Sequence, residues 1–137
     1  MKQALLAILI CAAWILPVQS DGTGNPDIEA TISRQIDAFK ADDFIGAFGF
    51  ASDNIQRVFR TPERFGQMVR HGYPMVYRPD VVRFLELREV DGALRQKVEM
   101  RDRAGTYHLL DYEMIDTEAG WKIDAVRYLG AGPGIGA

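Results

Sequence analysis

One cysteine, two histidines and two tryptophans are all that 137 residues supply of those types. The cysteine, Cys11, lies inside an apolar N-terminal run. The remainder therefore has no thiol to serve as nucleophile, soft-metal ligand or disulfide partner. His71 and His108, without a second histidine or a cysteine beside either, make a poor transition-metal set, so the reading assigns no metal. No Gly-x-Ser-x-Gly elbow, phosphate loop or dinucleotide fingerprint occurs, which leaves no implied cofactor. The alternating glycines at 130, 132, 134 and 136 have no helix after them to hold a phosphate and read as a flexible tail over 130–137. There is no second long hydrophobic run and no internal repeat.

What is present begins with an export signal. Lys2 precedes thirteen apolar residues, Ala4–Leu16, and then Pro17-Val18-Gln19-Ser20. A positive start, a short apolar run and small or modest residues at Val18 and Ser20 form the secretory pattern, with cleavage after Ser20. As a helix the run rises only about 20 Å, short of the roughly 30 Å hydrocarbon core, so no stable membrane span follows cleavage. Cys11 follows Ile10 and sits mid-run, which disfavours lipidation. The expected location is periplasmic or secreted. Lys2 is the only charged residue of the first twenty, so the remaining 117 residues carry 15 Lys and Arg against 19 Asp and Glu, a net charge of minus four. That acidity argues against nucleic acid as a partner.

Residues 21–25 read as a loose leader and 26–129 as one domain. Asn25-Pro26 is a cap followed by proline at the first helical position, and Ile28, Ile32, Ile36 and Phe39 share one face of a helix to about Lys40. Asp42 or Asp43 restarts a short helix bearing Phe44, Ala47, Phe48 and Ala51. Ser52 caps a turn with Ile55, Val58 and Phe59. Thr61-Pro62 repeats the cap-then-proline signature before Phe65, Met68 and Val69, with Gly72 closing the helix. From Met75 to Pro79 the chain reads as extended. Val81–Val90 is rich in strand formers, Asp91-Gly92 is a hairpin turn, and Leu94, Gln96, Val98 and Met100 alternate with charged neighbours. Thr106–Asp116 and Trp121–Leu129 complete an antiparallel meander. The predicted fold class is α+β, with N-terminal helices packed on a curved antiparallel sheet as a cone.

Several runs carry a family likeness: Ala47-Phe48-Gly49-Phe50-Ala51-Ser52, then Ile55, Phe59 and Pro62-Glu63-Arg64-Phe65, then Met68-Val69, Tyr73-Pro74-Met75-Val76-Tyr77-Arg78-Pro79 and Gly120-Trp121-Lys122-Ile123. With these the chain resembles a bacterial family known as domain of unknown function 4864, over residues 28–129. That family resembles members of the nuclear transport factor 2-like superfamily, or more broadly cystatin-like cones. The resemblance implies helices packed into a strongly curved sheet and implies no activity.

Candidate chemistry depends on which residues face the concavity. A four-residue turn at Thr117–Gly120 sets Met114 opposite Ile123, Tyr112 opposite Ala125 and Leu110 opposite Arg127. Leu110, Tyr112, Met114, Trp121 and Ile123 then face the core, with His108, Arg127, Gln96 and Val98 on the same side. A one-residue slip would turn Asp111, Glu113 and Asp124 inward, which is costly without partners. A bulge near Asp124-Ala125 would instead turn Val126 and Tyr128 inward. The pocket candidates are Gln96, Val98, His108, Leu110, Tyr112 and Arg127. The competing account makes Tyr112 a core residue with its hydroxyl paired, and places His108 and Arg127 at the rim. His71 reads as a helix-end cation, and the acid pairs Asp42-Asp43 and Asp80 with Glu86 as solvated surface rather than a cation site. The arginines at 57, 60, 64, 70, 78, 83 and 88 are interspersed with acids and read as mixed surface.

Two functions follow. The first is a non-catalytic binding or interaction module, holding a small apolar ligand or a protein partner on the concave face, with a dimer left open. The second is a small isomerase or lyase using His108 and Tyr112, for which no Asp partner is evident in the sequence.

Overall fold

The helical half is built from local signals that satisfy the first-turn N–H groups. In a computed structural model that describes residues 24–134, α1 spans Pro26–Lys40, and the Asn25 side chain accepts from the amides of Asp27 and Ile28. Asp43 caps α2 (Phe44–Gly49), Ser52 caps α3 (Asp53–Phe59) and Thr61 caps α4 (Pro62–Gly72), each by a side-chain oxygen on a first-turn amide. Gly66 is the close approach between α2 and α4: a Cβ there would run into the Phe44 ring. The segment expected to be extended after Tyr73 instead forms α5 (Pro74–Tyr77). Pro74 takes the first helical position, and the amides of Val76 and Tyr77 donate to the Tyr73 carbonyl. This local capping overrides the strand preference of Val76 and Tyr77.

The sheet is a four-stranded antiparallel meander in the order β1 (Val81–Val90), β2 (Ala93–Arg101), β3 (Tyr107–Thr117) and β4 (Gly120–Ala131). Asp91 and Gly92 both take positive φ, as the two-residue hairpin turn between β1 and β2 requires. Three irregularities bend the sheet: one in β1 between Phe84 and Leu87, and two in the β3–β4 pairing, at Leu109/Leu110 and Glu113/Met114. Helices on one face of a curved, unclosed sheet give the α+β cone expected from the sequence.

The inner face and the helices share one core, with Ile28, Ile32, Phe39, Val98, Met100, Leu110 and Tyr112 at 0% exposure. The outer face carries ion pairs: Arg88–Asp111, Lys97–Glu86, Arg95–Glu113 and Arg101–Asp80. The start of β4 is covered by the helical half, where Ser52 N–H donates to the Ile123 carbonyl and Ile123 N–H to that of Phe50. At its other end β4 runs two residues past the expected Leu129. Beyond it Gly132 N–H donates to the Tyr107 carbonyl, and Gly134 is buried beside the Tyr107 ring. The export signal, its cleavage point and Asp21–Thr23 lie outside the described residues, as do residues 135–137. Among the described residues no helix is long and apolar enough to cross a membrane.

Candidate functional site

The register of β4 decides what faces inward. Near the turn it is the expected one, with Met114 opposite Ile123 and Asp116 opposite Trp121. The bulge at Asp124 then shifts it by one, so Tyr112 pairs with Val126, Asp111 with Arg127 and Leu110 with Tyr128. Arg127 is therefore not a pocket residue. It is exposed on the outer face, across from Asp111, and Val126 takes the inward place. An inserted residue reverses the alternation beyond it.

The bulge borders a cavity. A space of about 270 Å³ lies between β4 and the helices, lined by Gln35 and Phe39 of α1, Ile55 and Phe59 of α3, Phe65, Met68 and Val69 of α4, and Ile123, Ala125 and Val126 of β4. Ala51, Tyr73 and Val76 complete it, so no charged residue is in the lining. Phe65 rests against Phe39 and Phe59 with ring centroids 5.7 Å away in each case, which makes the aromatic wall firm. Two polar groups interrupt the apolar surface. Gln35, 3% exposed, donates from Nε2 to the Ala47 carbonyl at 3.1 Å. The Tyr73 hydroxyl lies 3.5 Å from the Val126 carbonyl, a long and weak contact.

The sequence profile of the family described as domain of unknown function DUF4864 matches residues 22–133. The chain belongs to the DUF4864 family. No curated protein and no solved structure matches it.

In this DUF4864 domain the six residues singled out from the sequence do not line the cavity. Val98 and Leu110 pair across β2 and β3 and are wholly buried core. Gln96, also 0% exposed, donates from Nε2 to the carbonyls of Leu85 and Lys97 at 3.0 and 2.9 Å. Its task is structural, since the β1 bulge frees the Leu85 carbonyl and Gln96 satisfies it. Tyr112 is buried at 0% exposure, but its hydroxyl finds no hydrogen-bond partner among the described residues, contrary to the paired hydroxyl expected. That burial alone pushes its pKa far up, so it does not ionise in the physiological range.

His108 does have a carboxylate partner. Its Nε2 is 2.8 Å from Asp102 Oδ2 and its Nδ1 is 2.9 Å from the Tyr128 hydroxyl. Asp102 also accepts from the amides of Ala104 and Thr106 through Oδ1, which fixes the β2–β3 turn. The hydrogen bond from His108, ahead of those from the turn, holds the Asp102 carboxyl below its ordinary value. With Nε2–H given to Asp102, a neutral imidazole accepts from Tyr128 through Nδ1. Asp102 is not apparent as a partner from the sequence because it belongs to a turn. The signal was the hairpin itself, which returns His108 opposite Met100, two residues before Asp102. His108 faces an open groove with Arg70, Tyr77, Arg78 and Arg103, and it is about 13 Å along the strand from Tyr112. The two do not form one site.

The other flagged residues find local partners. Asp42 accepts from the Tyr77 hydroxyl and pairs with Arg78 at 2.9 Å, Arg78 stacks on the Tyr77 ring at 3.9 Å, and the Tyr77 bond followed by that of Arg78 lowers the Asp42 pKa. Asp80 pairs with Arg101 and Glu86 with Lys97, while His71 is exposed in the last turn of α4. Among the described residues no group of three His, Cys, Asp or Glu comes together to hold a metal ion.

Proposed function

We propose that the domain is a non-catalytic binding module that works outside the cytoplasm and takes a small apolar ligand in the cavity between α1, α3, α4 and the bulged part of β4. The observation that carries this reading is the cavity itself, about 270 Å³ with an almost wholly apolar lining. An apolar cavity of about 150 Å³ is enough to hold benzene. Small-molecule sites combine such surface with a few placed polar groups, and Gln35 and Tyr73 meet that description. The test is calorimetric titration with ethylbenzene. Binding to the natural chain, weakened by Met68→Trp and kept by Met68→Ala, supports the reading; absence of binding to the natural chain by ethylbenzene and by its hydroxylated analogue 4-ethylphenol alike overturns it. Export is tested by N-terminal sequencing of the processed protein. Asp21 is the expected first residue, and retention of Met1 or a lipid on Cys11 contradicts it.

A second reading, acid–base catalysis, is favoured by one observation: the Asp102–His108–Tyr128 chain. Its members join the β2–β3 turn to β4 and lie outside the apolar cavity, which supports a clasp rather than a reacting centre. Loss of the biological phenotype with His108→Ala in a folded protein would favour catalysis. A retained phenotype favours binding.

A further inference from the structure

The single deeply buried amide of the cavity specifies more than apolar fit. Gln35 is 3% exposed, and its Nε2 is committed to the Ala47 carbonyl at 3.1 Å. That bond fixes the amide plane and assigns its oxygen. Oε1 accepts no hydrogen bond from any described residue. Unlike the unpartnered Oε1 of Gln96 and hydroxyl of Tyr112, which are sealed off in the centre of the sheet, the Gln35 side chain lines the cavity. A buried acceptor held in place in a cavity wall is matched by one kind of group, a donor on a ligand.

Charge narrows the class further. No Asp, Glu, Lys, Arg or His lines the cavity. An anion or cation placed there would lose its hydration without gaining a counter-charge, so the ligand is neutral. The second polar group agrees with a hydroxyl. The Tyr73 O–H sits 3.5 Å from the Val126 carbonyl, too far for a strong bond, and its donor is available to a nearby acceptor.

We infer that the cavity takes a neutral, compact, largely apolar molecule carrying one hydroxyl or comparable donor, a phenol or small alcohol, with that donor seated on Gln35 Oε1. This rests on the binding reading above and adds the ligand's chemical class. Carboxylates, including fatty acids, are thereby disfavoured although their apolar chains would fit the walls.

The experiment compares four probes of similar shape on the natural chain by titration calorimetry: 4-ethylphenol, 4-ethylanisole, ethylbenzene and 4-ethylbenzoate. 4-Ethylphenol is expected to bind at least about tenfold more tightly than 4-ethylanisole, which keeps the oxygen but lacks the donor, and 4-ethylbenzoate more weakly than either. Gln35→Met, which keeps the bulk and removes the acceptor, is expected to bring the phenol-to-anisole ratio close to one. Equal affinities for phenol and anisole on the natural chain, or tighter binding of the benzoate, overturn the inference while the cavity reading stands. If none of the four binds, the cavity reading fails and this inference fails with it. Because the decisive ratio is measured on the natural chain, it does not depend on how well Gln35→Met folds.

Discussion

The middle of the sheet and its β4 margin share one core with the helices, yet one is filled and the other holds a cavity. Over β2 and β3 the register is regular, and Gln96, Val98, Met100, Leu110 and Tyr112 close the space to 0% exposure. Along β4 the bulge at Asp124 inserts a residue, so that Val126 faces the helical side opposite Tyr112 and the small Ala125 lies beside it in the lining. The facing helices offer Ile55, Met68 and Tyr73, which are only partly buried. Regular pairing lets side chains interdigitate to crystal-like density, whereas an irregular margin leaves room that function can use.

The sharpest way to break this comparison is to truncate one residue on each side of it. Leu110→Ala, in the filled centre, should cost about 2–5 kcal/mol, near the usual range for emptying a packed leucine site. Met68→Ala at the cavity should cost about 1 kcal/mol or less, because part of its surface already faces open space. Urea denaturation of both variants checks the contrast, and equal losses would mean that the two regions are packed alike.

The helical caps were legible in the sequence because a cap is a local event. Asn25, Ser52 and Thr61 each needed only their next three residues to declare a helix start. The hairpin at Asp91-Gly92 was equally local. The α5 helix was missed because Val76 and Tyr77 prefer strands, and the proline-initiated turn at Tyr73-Pro74 overrode them. Counting from the turn points Arg127 inward, but the count holds only until a residue is inserted, and the bulge at Asp124 inserts one. The cavity was not legible at all. Ile55, Phe59, Met68 and Val69 read as core face, and core face and cavity wall have the same composition. Only the three-dimensional distance between helices and strand distinguishes them.

The outer face gives the next smaller effect. Arg88 forks onto Asp111 with contacts of 2.8 and 2.7 Å, and the Asp111 side chain is only 6% exposed. Asp111→Ala should cost about 1–3 kcal/mol, since it removes a charge-assisted pair and leaves a half-buried guanidinium. Denaturant midpoints check it, and a loss below about half a kcal/mol would reduce the pair to ordinary surface charge.

Acid should weaken both faces together. The Arg88 hydrogen bond holds the Asp111 carboxyl below its ordinary value, as the His108 bond does for Asp102 and the Tyr77 bond for Asp42. A carboxylate whose folded pKa is depressed contributes stability above its unfolded value, near 4, and loses it as pH falls through the folded value. Unfolding midpoints followed from pH 6 down to pH 2 should therefore begin to fall near about pH 4 and continue below it. A flat profile across that window would contradict the three pairings.

The smallest change concerns Tyr112. Its hydroxyl is buried without a partner among the described residues, so Tyr112→Phe should leave stability unchanged or raise it by about 1 kcal/mol. A clear loss would show that the hydroxyl has a partner and that the centre of the sheet is less dry than described.

The most direct measurement of the central claim is an amide and methyl NMR titration of the natural domain with 4-ethylphenol. The account predicts that the largest shifts fall on Ile55, Met68, Val69 and Val126, around the β4 cavity, while Val98 and Leu110 hardly move. Shifts centred on His108 and Arg103, or no saturable shifts at all, would contradict it.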